Sequence, residues 1–227
     1  HRPVKDFRHV FLYGSVAPDV PYFYLLGKRT RFIQSLTNRF HTSNSDSLLP
    51  ILNFLKQFPK NDPDTLAFAA GVCCHILCDT HFHPMVYYYA GHDEIHDGAT
   101  ARHRSFETAM DIHFWYDMPD KKLRSLLFLF DHLETDRQRF QKLFHSLYSL
   151  TGTPEAHCLN RAIQYHQKIQ TLFFNPRVFK LFKFLNRHKI LKKKRFQALV
   201  YPFNPPVRLK FFNRPITFRD PNLGEKH

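Results

Sequence analysis

Apolar residues recur every three or four positions along much of this chain, which is the period of a helix and not the alternation of a strand. The spacing predicts helices over about 120–131, 134–150 and 154–173, where Leu and Phe keep that repeat. Upstream, "TSNSDSLLPILNFLKQF" opens on cap-forming residues and turns apolar, predicting a helix from about Ser45 to Phe58. "NDPDTLAFAAGVCCHILCDTHFHP" predicts a longer one, capped near Asp62 and ending about His83, because the residue before Pro84 is biased away from helical geometry. The polar "HDEIHDGATARHR" reads as a loop leading into a helix over "ARHRSFETAMDIHFWYDM". At the start, "FRHVFLYGSVAPDVPYFYL" is an apolar segment closed by a proline-marked turn that holds Asp19, and a helix follows through "YLLGKRTRFIQSL".

Composition supports this pattern. The 227 residues include 25 Phe against 7 Gly, an aromatic load that suits packed helices joined by short turns and excludes a loop-rich or disordered chain. The expected fold is all-α, a single multi-helix domain over residues 1–174. Beyond it, residues 175–227 form a basic, Phe- and Pro-rich extension with one basic helix in "NPRVFKLFKFLNRHKILKKKRF" and irregular chain in "YPFNPPVRLKFFNRPITFRDPN". That extension carries 14 Lys and Arg against 2 Asp and Glu, so it supplies +12 of the net +14. Rings interleaved with cations suit peripheral contact with an anionic membrane, and nucleic acid is the less favoured polyanion.

Cys73, Cys74 and Cys78 crowd into one helix, too close for a disulfide framework, and read as small core residues of a protein kept in a reducing, cytoplasmic setting. The chain shows no run of about 18 apolar residues and opens on no signal-peptide pattern.

Titratable groups change the picture. His75, Asp79 and His83 fall at i, i+4 and i+8, so at about 100° per residue they share one helix face. His103, Glu107 and Asp111 repeat the spacing on the next long helix. A lone histidine on an apolar face is more often a core or capping residue, and 16 His in the chain make some coincidences expected. Six such groups on two consecutive helices exceed that expectation. Imidazole with carboxylate is the ligand set of zinc, and facing helices can build a multi-metal cage. His81 points away from the ladder and His113 lies off it, so both read as bystanders.

The pieces "FLYGSVAPDV", "RFHTS", "AFAAGVCCHILCDTHFHP" and "HRSFETAMD", in that order over about residues 8–115, resemble the zinc-dependent phospholipase C family. That family includes bacterial phosphatidylcholine-type enzymes and the catalytic domain of the glycosylphosphatidylinositol-specific phospholipase D of plasma. The resemblance implies an all-α fold and up to three zinc ions. It implies that Asp19 is a metal ligand and the base that activates water, and that His41 is a ligand of the first site. His75 and Asp79 match the family's HxxxD, with Asp79 bridging, and His103 and Glu107 match its next HxxxE step. Two departures stand out. The secreted bacterial enzymes place a histidine six residues after the bridging aspartate, where this chain has Met85, whereas His83 comes at four as in the plasma enzyme. The family also has a histidine-bearing helix before the Asp19 segment, and this chain begins too late to contain it. The third ion is therefore absent, or His1 or His9 substitutes for that ligand, or the chain is a truncated product.

Three functions follow. The first is a zinc-dependent phosphodiester hydrolase, phospholipase C-like, in which a metal-activated water oriented by Asp19 attacks the phosphorus of a phospholipid head group. The second is a nuclease of the related tri-zinc type or a nucleotide phosphohydrolase, suited to the net charge and faintly echoed by the His92-Asp93 and His96-Asp97 pairs. The third is a non-catalytic zinc-binding scaffold. Two full ladders favour catalysis, since a structural site needs only four closed ligands.

Overall fold

A computed structural model describes residues 7–41, 45–91, 99–117, 137–188 and 216–218. Among these residues every regular element is helical, as the periodicity predicts. The α-helices are α1 (Arg8–Val16), α2 (Thr30–Ser35), α3 (Leu49–Leu55), α4 (Pro63–Ala90), α5 (Ala99–Asp117), α6 (Arg137–Leu147), α7 (Pro154–Phe173) and α8 (Pro176–Arg187). Short 3-10 segments cover Ala17–Phe23, Leu36–Arg39 and Ser45–Leu48. The expected helix at 120–131, both His-Asp pairs and most of the C-terminal extension lie outside the described residues.

Several boundaries differ from expectation for local reasons. Asp19 sits not in a simple turn but in the 3-10 segment Ala17–Phe23, where Pro18 and Pro21 lack the N–H groups that would continue an α-helical ladder. The helix expected over 45–58 is a 3-10 turn followed by the shorter α3. Pro50 in its first turn starts it, and Pro59 disfavours helical geometry at Phe58. Asp62 caps α4 as expected, its Oδ2 accepting from the Thr65 N–H at 2.9 Å. The far end of α4 is the larger correction. It does not stop at His83 but continues through Pro84 to Ala90.

The chain divides into two compact units, His1–Asp79 with Leu127–Ile169, and Thr80–Leu126 with Gln170–His227. In the first, Tyr13 is surrounded by Phe140, Phe144 and Phe68 at ring separations of 4.9, 6.0 and 5.9 Å. Phe54 joins Phe68 at 5.3 Å, and Phe40 and Phe144 flank Tyr148 at 5.6 and 5.2 Å. These rings are fully buried and hold α1, α3, α4 and α6 together. In the second unit, Met85, Val86 and Ala90 pack on Met110 of α5, with Phe82, Phe106, Ile216 and Phe218 around them. That burial explains why α4 survives Pro84: the packing outweighs a local helix cost of about 3 kcal/mol.

Among the described residues α4 is long and apolar enough to cross a membrane, with a mean hydropathy of 1.3 over its most apolar window. Its buried Ala67, Phe68, Val72 and Ile76 instead serve as core. The cysteines depart from expectation in one respect: Cys73 and Cys74 are half-buried but Cys78 is exposed on α4, and all are free thiols.

Candidate metal centres

Two glycines set up the first centre. A Cβ on Gly14 would lie 2.1 Å from the Phe68 carbonyl oxygen, and one on Gly71 would lie 2.0 Å from that of Phe11. The backbones of α1 and α4 therefore touch at this crossing, which no larger residue permits. The contact brings the carbonyl of Ser15, next to Gly14, within 2.9 Å of His75 Nδ1, one turn along α4 from Gly71.

His41 is fixed in the same manner, its Nδ1 lying 2.8 Å from the carbonyl oxygen of Thr37. A carbonyl only accepts, so both Nδ1 atoms carry the proton and both Nε2 lone pairs turn to a common centre. There the two Nε2 atoms are 3.4 Å apart. Asp79 Oδ2 stands 3.0 Å from His41 Nε2 and 3.3 Å from His75 Nε2, and Asp19 Oδ1 is 3.2 Å from His41 Nε2.

Tyr148 holds the Asp19 segment in place. Its buried hydroxyl donates to the carbonyls of Ala17 and Pro18, at 3.0 and 3.1 Å. Asp19 is the most open member of the group, its side chain 35% exposed against 11% for His75.

These spacings fit a metal. A tetrahedral zinc with bonds of about 2.0–2.1 Å sets its ligand atoms roughly 3.3–3.4 Å apart, close to the observed separations. Two carboxylates and two neutral imidazoles also carry the charge that a dication neutralises. The protonation of the group shows the same demand for positive charge. Burial alone would lower the pKa of His41, but hydrogen bonds to Asp19 and Asp79 outweigh it and push it up to about 11. His75 is raised as well, burial being overcome by Asp79 and by the charge of Asp19.

The second centre combines α4 and α5. Glu107 Oε1 lies 2.8 Å from His103 Nε2 and 3.6 Å from His83 Nε2, and one ligand atom from each residue falls within 4.8 Å of the others. Tyr87 packs against both imidazoles, with ring centroids 5.4 Å from each. The other carboxylate oxygen of Glu107 accepts from Arg104 Nη1 at 3.2 Å. Burial would raise the pKa of Glu107, yet hydrogen bonds from His103 and His83, with the Arg104 charge, hold it well below the usual carboxylate range.

Among the described residues the ladder residues gather in two groups of ligand spacing. Asp19, His41 and His75 with Asp79 form one, and His83, His103 and Glu107 form the other. Asp111 is exposed, and the groups of ligand spacing found among the described residues do not include it, nor His81, stacked edge-on to Phe82, nor His113. His9 packs edge-on to Phe140 and is not part of a ligand-spaced group among the described residues. Periodicity does not reveal Tyr148, Arg104 or Tyr87, whose roles depend on contacts between elements. Gly14 and Gly71 lie within the family-like pieces, but a glycine's letter does not say which backbone it meets.

Fold and sites together define a class: an all-α protein with two imidazole–carboxylate groups of metal-ligand spacing. The family model for zinc-dependent phospholipase C matches residues 1–154, and the chain belongs to that family. Family and ligand groups together suggest zinc as the metal that these residues suit. Comparison with curated proteins and with solved structures found no match.

Proposed function

We propose that the protein is a zinc-dependent phosphodiester hydrolase of phospholipase C type acting on phospholipid head groups. The observation that carries this reading is the convergence of Asp19, His41, His75 and Asp79, with the carboxylate of Asp19 the most open of the four. His41, His75 and Asp79 would hold one ion, and His83, His103 and Glu107 a second. Zinc bound there supplies Lewis acidity, lowering the pKa of a coordinated water and offsetting the charge of a phosphodiester. The main-chain carbonyls of Ser15 and Thr37 keep the two imidazoles in the ligating tautomer. Asp19, steadied through Tyr148, accepts the proton of the attacking water at its open edge.

The basic extension supports contact with an anionic membrane. On α8, Leu181 and Phe184 are exposed beside Lys180 and Lys183, an amphipathic face that suits a bilayer boundary. The test is a parallel assay of the full chain, loaded with zinc, on phosphatidylcholine vesicles, single-stranded DNA and an aryl phosphodiester. Release of diacylglycerol that disappears in Asp19→Asn supports the reading. Cleavage of DNA without diacylglycerol release replaces it with a nuclease, and zinc bound without turnover of any substrate replaces it with a scaffold.

A further inference from the structure

Between Asp19 and His41 the chain from Val20 to Phe40 carries Lys28, Arg29, Arg31 and Arg39 and no acidic residue. Two of these cations are used internally. Arg29 pairs with Glu155, and Arg39 donates to the Tyr148 carbonyl at 3.0 Å. Lys28 and Arg31 are exposed.

The loop that bears them has a defined shape. Gln34 Nε2 is 3.2 Å from the carbonyl oxygens of both Tyr22 and Tyr24, and Thr30 Oγ1 donates to that of Gly27 at 2.8 Å. Gly27 has φ +152°, and a Cβ there would fall 2.3 Å from the Tyr24 hydroxyl, so the turn requires glycine. This braced loop holds apolar side chains in water: Leu26 is 73% exposed, Leu25 51%, Phe32 47% and Tyr22 37%. Tyr22 also borders the metal centre, its ring 6.1 Å from that of His41.

We propose that the Tyr22–Phe32 loop is the element that seats this protein on an anionic phospholipid bilayer, beside the Asp19–His41 centre. Leu25 and Leu26 enter the acyl boundary while Lys28 and Arg31 remain at head-group level among anionic lipids. Aliphatic leucines at the tip favour lipid over nucleic acid, because single-stranded bases bind by stacking on aromatic faces. The inference deepens the phospholipase reading and rests on it, since it names how the substrate is met: in a membrane and not as a free molecule.

The test compares the full chain with Leu25→Ser/Leu26→Ser and Lys28→Gln/Arg31→Gln. Flotation is measured with vesicles of phosphatidylcholine alone and of phosphatidylcholine with phosphatidylserine, alongside hydrolysis of a short-chain phosphatidylcholine below its micelle concentration. The leucine pair should lower vesicle affinity about tenfold or more. The cation pair should lose about fivefold per charge on the anionic vesicles only. Both should hydrolyse the monomeric lipid at the wild-type rate, which also shows that they fold. Vesicle binding unchanged in the leucine pair, while monomeric lipid is hydrolysed, overturns the docking role and leaves the phospholipase reading standing. Vesicle binding lost in the variants, with no hydrolysis by any form, supports docking and sinks the phospholipase reading. Leucine-dependent binding to single-stranded DNA in place of vesicles overturns the docking proposal.

Discussion

His41 Nε2 and His75 Nε2 stand 3.4 Å apart, each imidazole giving its Nδ1 proton to a main-chain carbonyl. With the Asp19 and Asp79 carboxylates beside them, two Nε2 atoms that close call for positive charge, a proton on His41 in the metal-free protein or a metal ion in its place. The arrangement suits a cation, and the two groups differ in the negative charge they offer it.

Zinc titration of the metal-free protein should therefore show a tight step and a weaker one. The first group carries two carboxylates, whereas the single carboxylate of the second shares its charge with Arg104 at 3.2 Å. Asp79→Asn should weaken the tight step by at least about 100-fold, more than the loss expected for a residue merely supporting a ligand. Glu107→Gln should remove the weak step alone, and His81→Asn should leave both unchanged. Competition with a chromophoric chelator, with elemental analysis after dialysis, measures both.

Gly71→Ala should disturb fold and site together. Its methyl group would meet the Phe11 carbonyl oxygen at 2.0 Å, which forces α1 away from α4 and carries the Ser15 carbonyl off His75. Overpacking of this kind costs about 3 kcal/mol or more, read from urea midpoints. The tight zinc step should weaken in the same variant, whereas Gly152→Ala, with nothing within 4 Å of the added carbon, should leave it intact.

Tyr148→Phe removes the hydroxyl that spans the Ala17 and Pro18 carbonyls. Leaving buried acceptors unmet costs about 1–3 kcal/mol. Because the ligands on α4 are untouched, turnover should fall more than zinc affinity. Equal losses in both would show that Tyr148 acts on the whole centre and not on Asp19.

His166 should make stability pH-dependent. It is buried against Phe23, ring centroids 4.0 Å apart, and burial pushes its pKa down to about 4, with the charge of Asp19 acting in the opposite direction. Above its unfolded pKa of about 6.5 the residue is neutral in both states and its contribution is whole. As pH falls below that value the unfolded chain takes up the proton and the folded chain does not, so stability is lost progressively down to about pH 4. The loss totals about 3 kcal/mol. His166→Phe, which keeps the ring stack, should flatten this part of the curve when urea midpoints are compared at pH 7, 5.5 and 4.5.

Much of the protein is legible in its letters because the signals are local. The three-to-four repeat of Leu and Phe determines α6 and α7, and the cap at Asp62 determines where α4 begins. His75 with Asp79 and His103 with Glu107 could be read as ligand pairs because a separation of four places two side chains on one helix face. What the letters leave open is set by contacts between distant segments. That Asp19 and His41 meet His75 depends on the Gly14 and Gly71 crossing and on Tyr148, more than a hundred residues from Asp19 in the chain. Local preference ends α4 at Pro84, but burial of Met85, Val86 and Ala90 carries it to Ala90. The meeting of His83 with His103 and Glu107 was decided the same way, because the helical period assigns a residue to a face but only packing decides what that face meets.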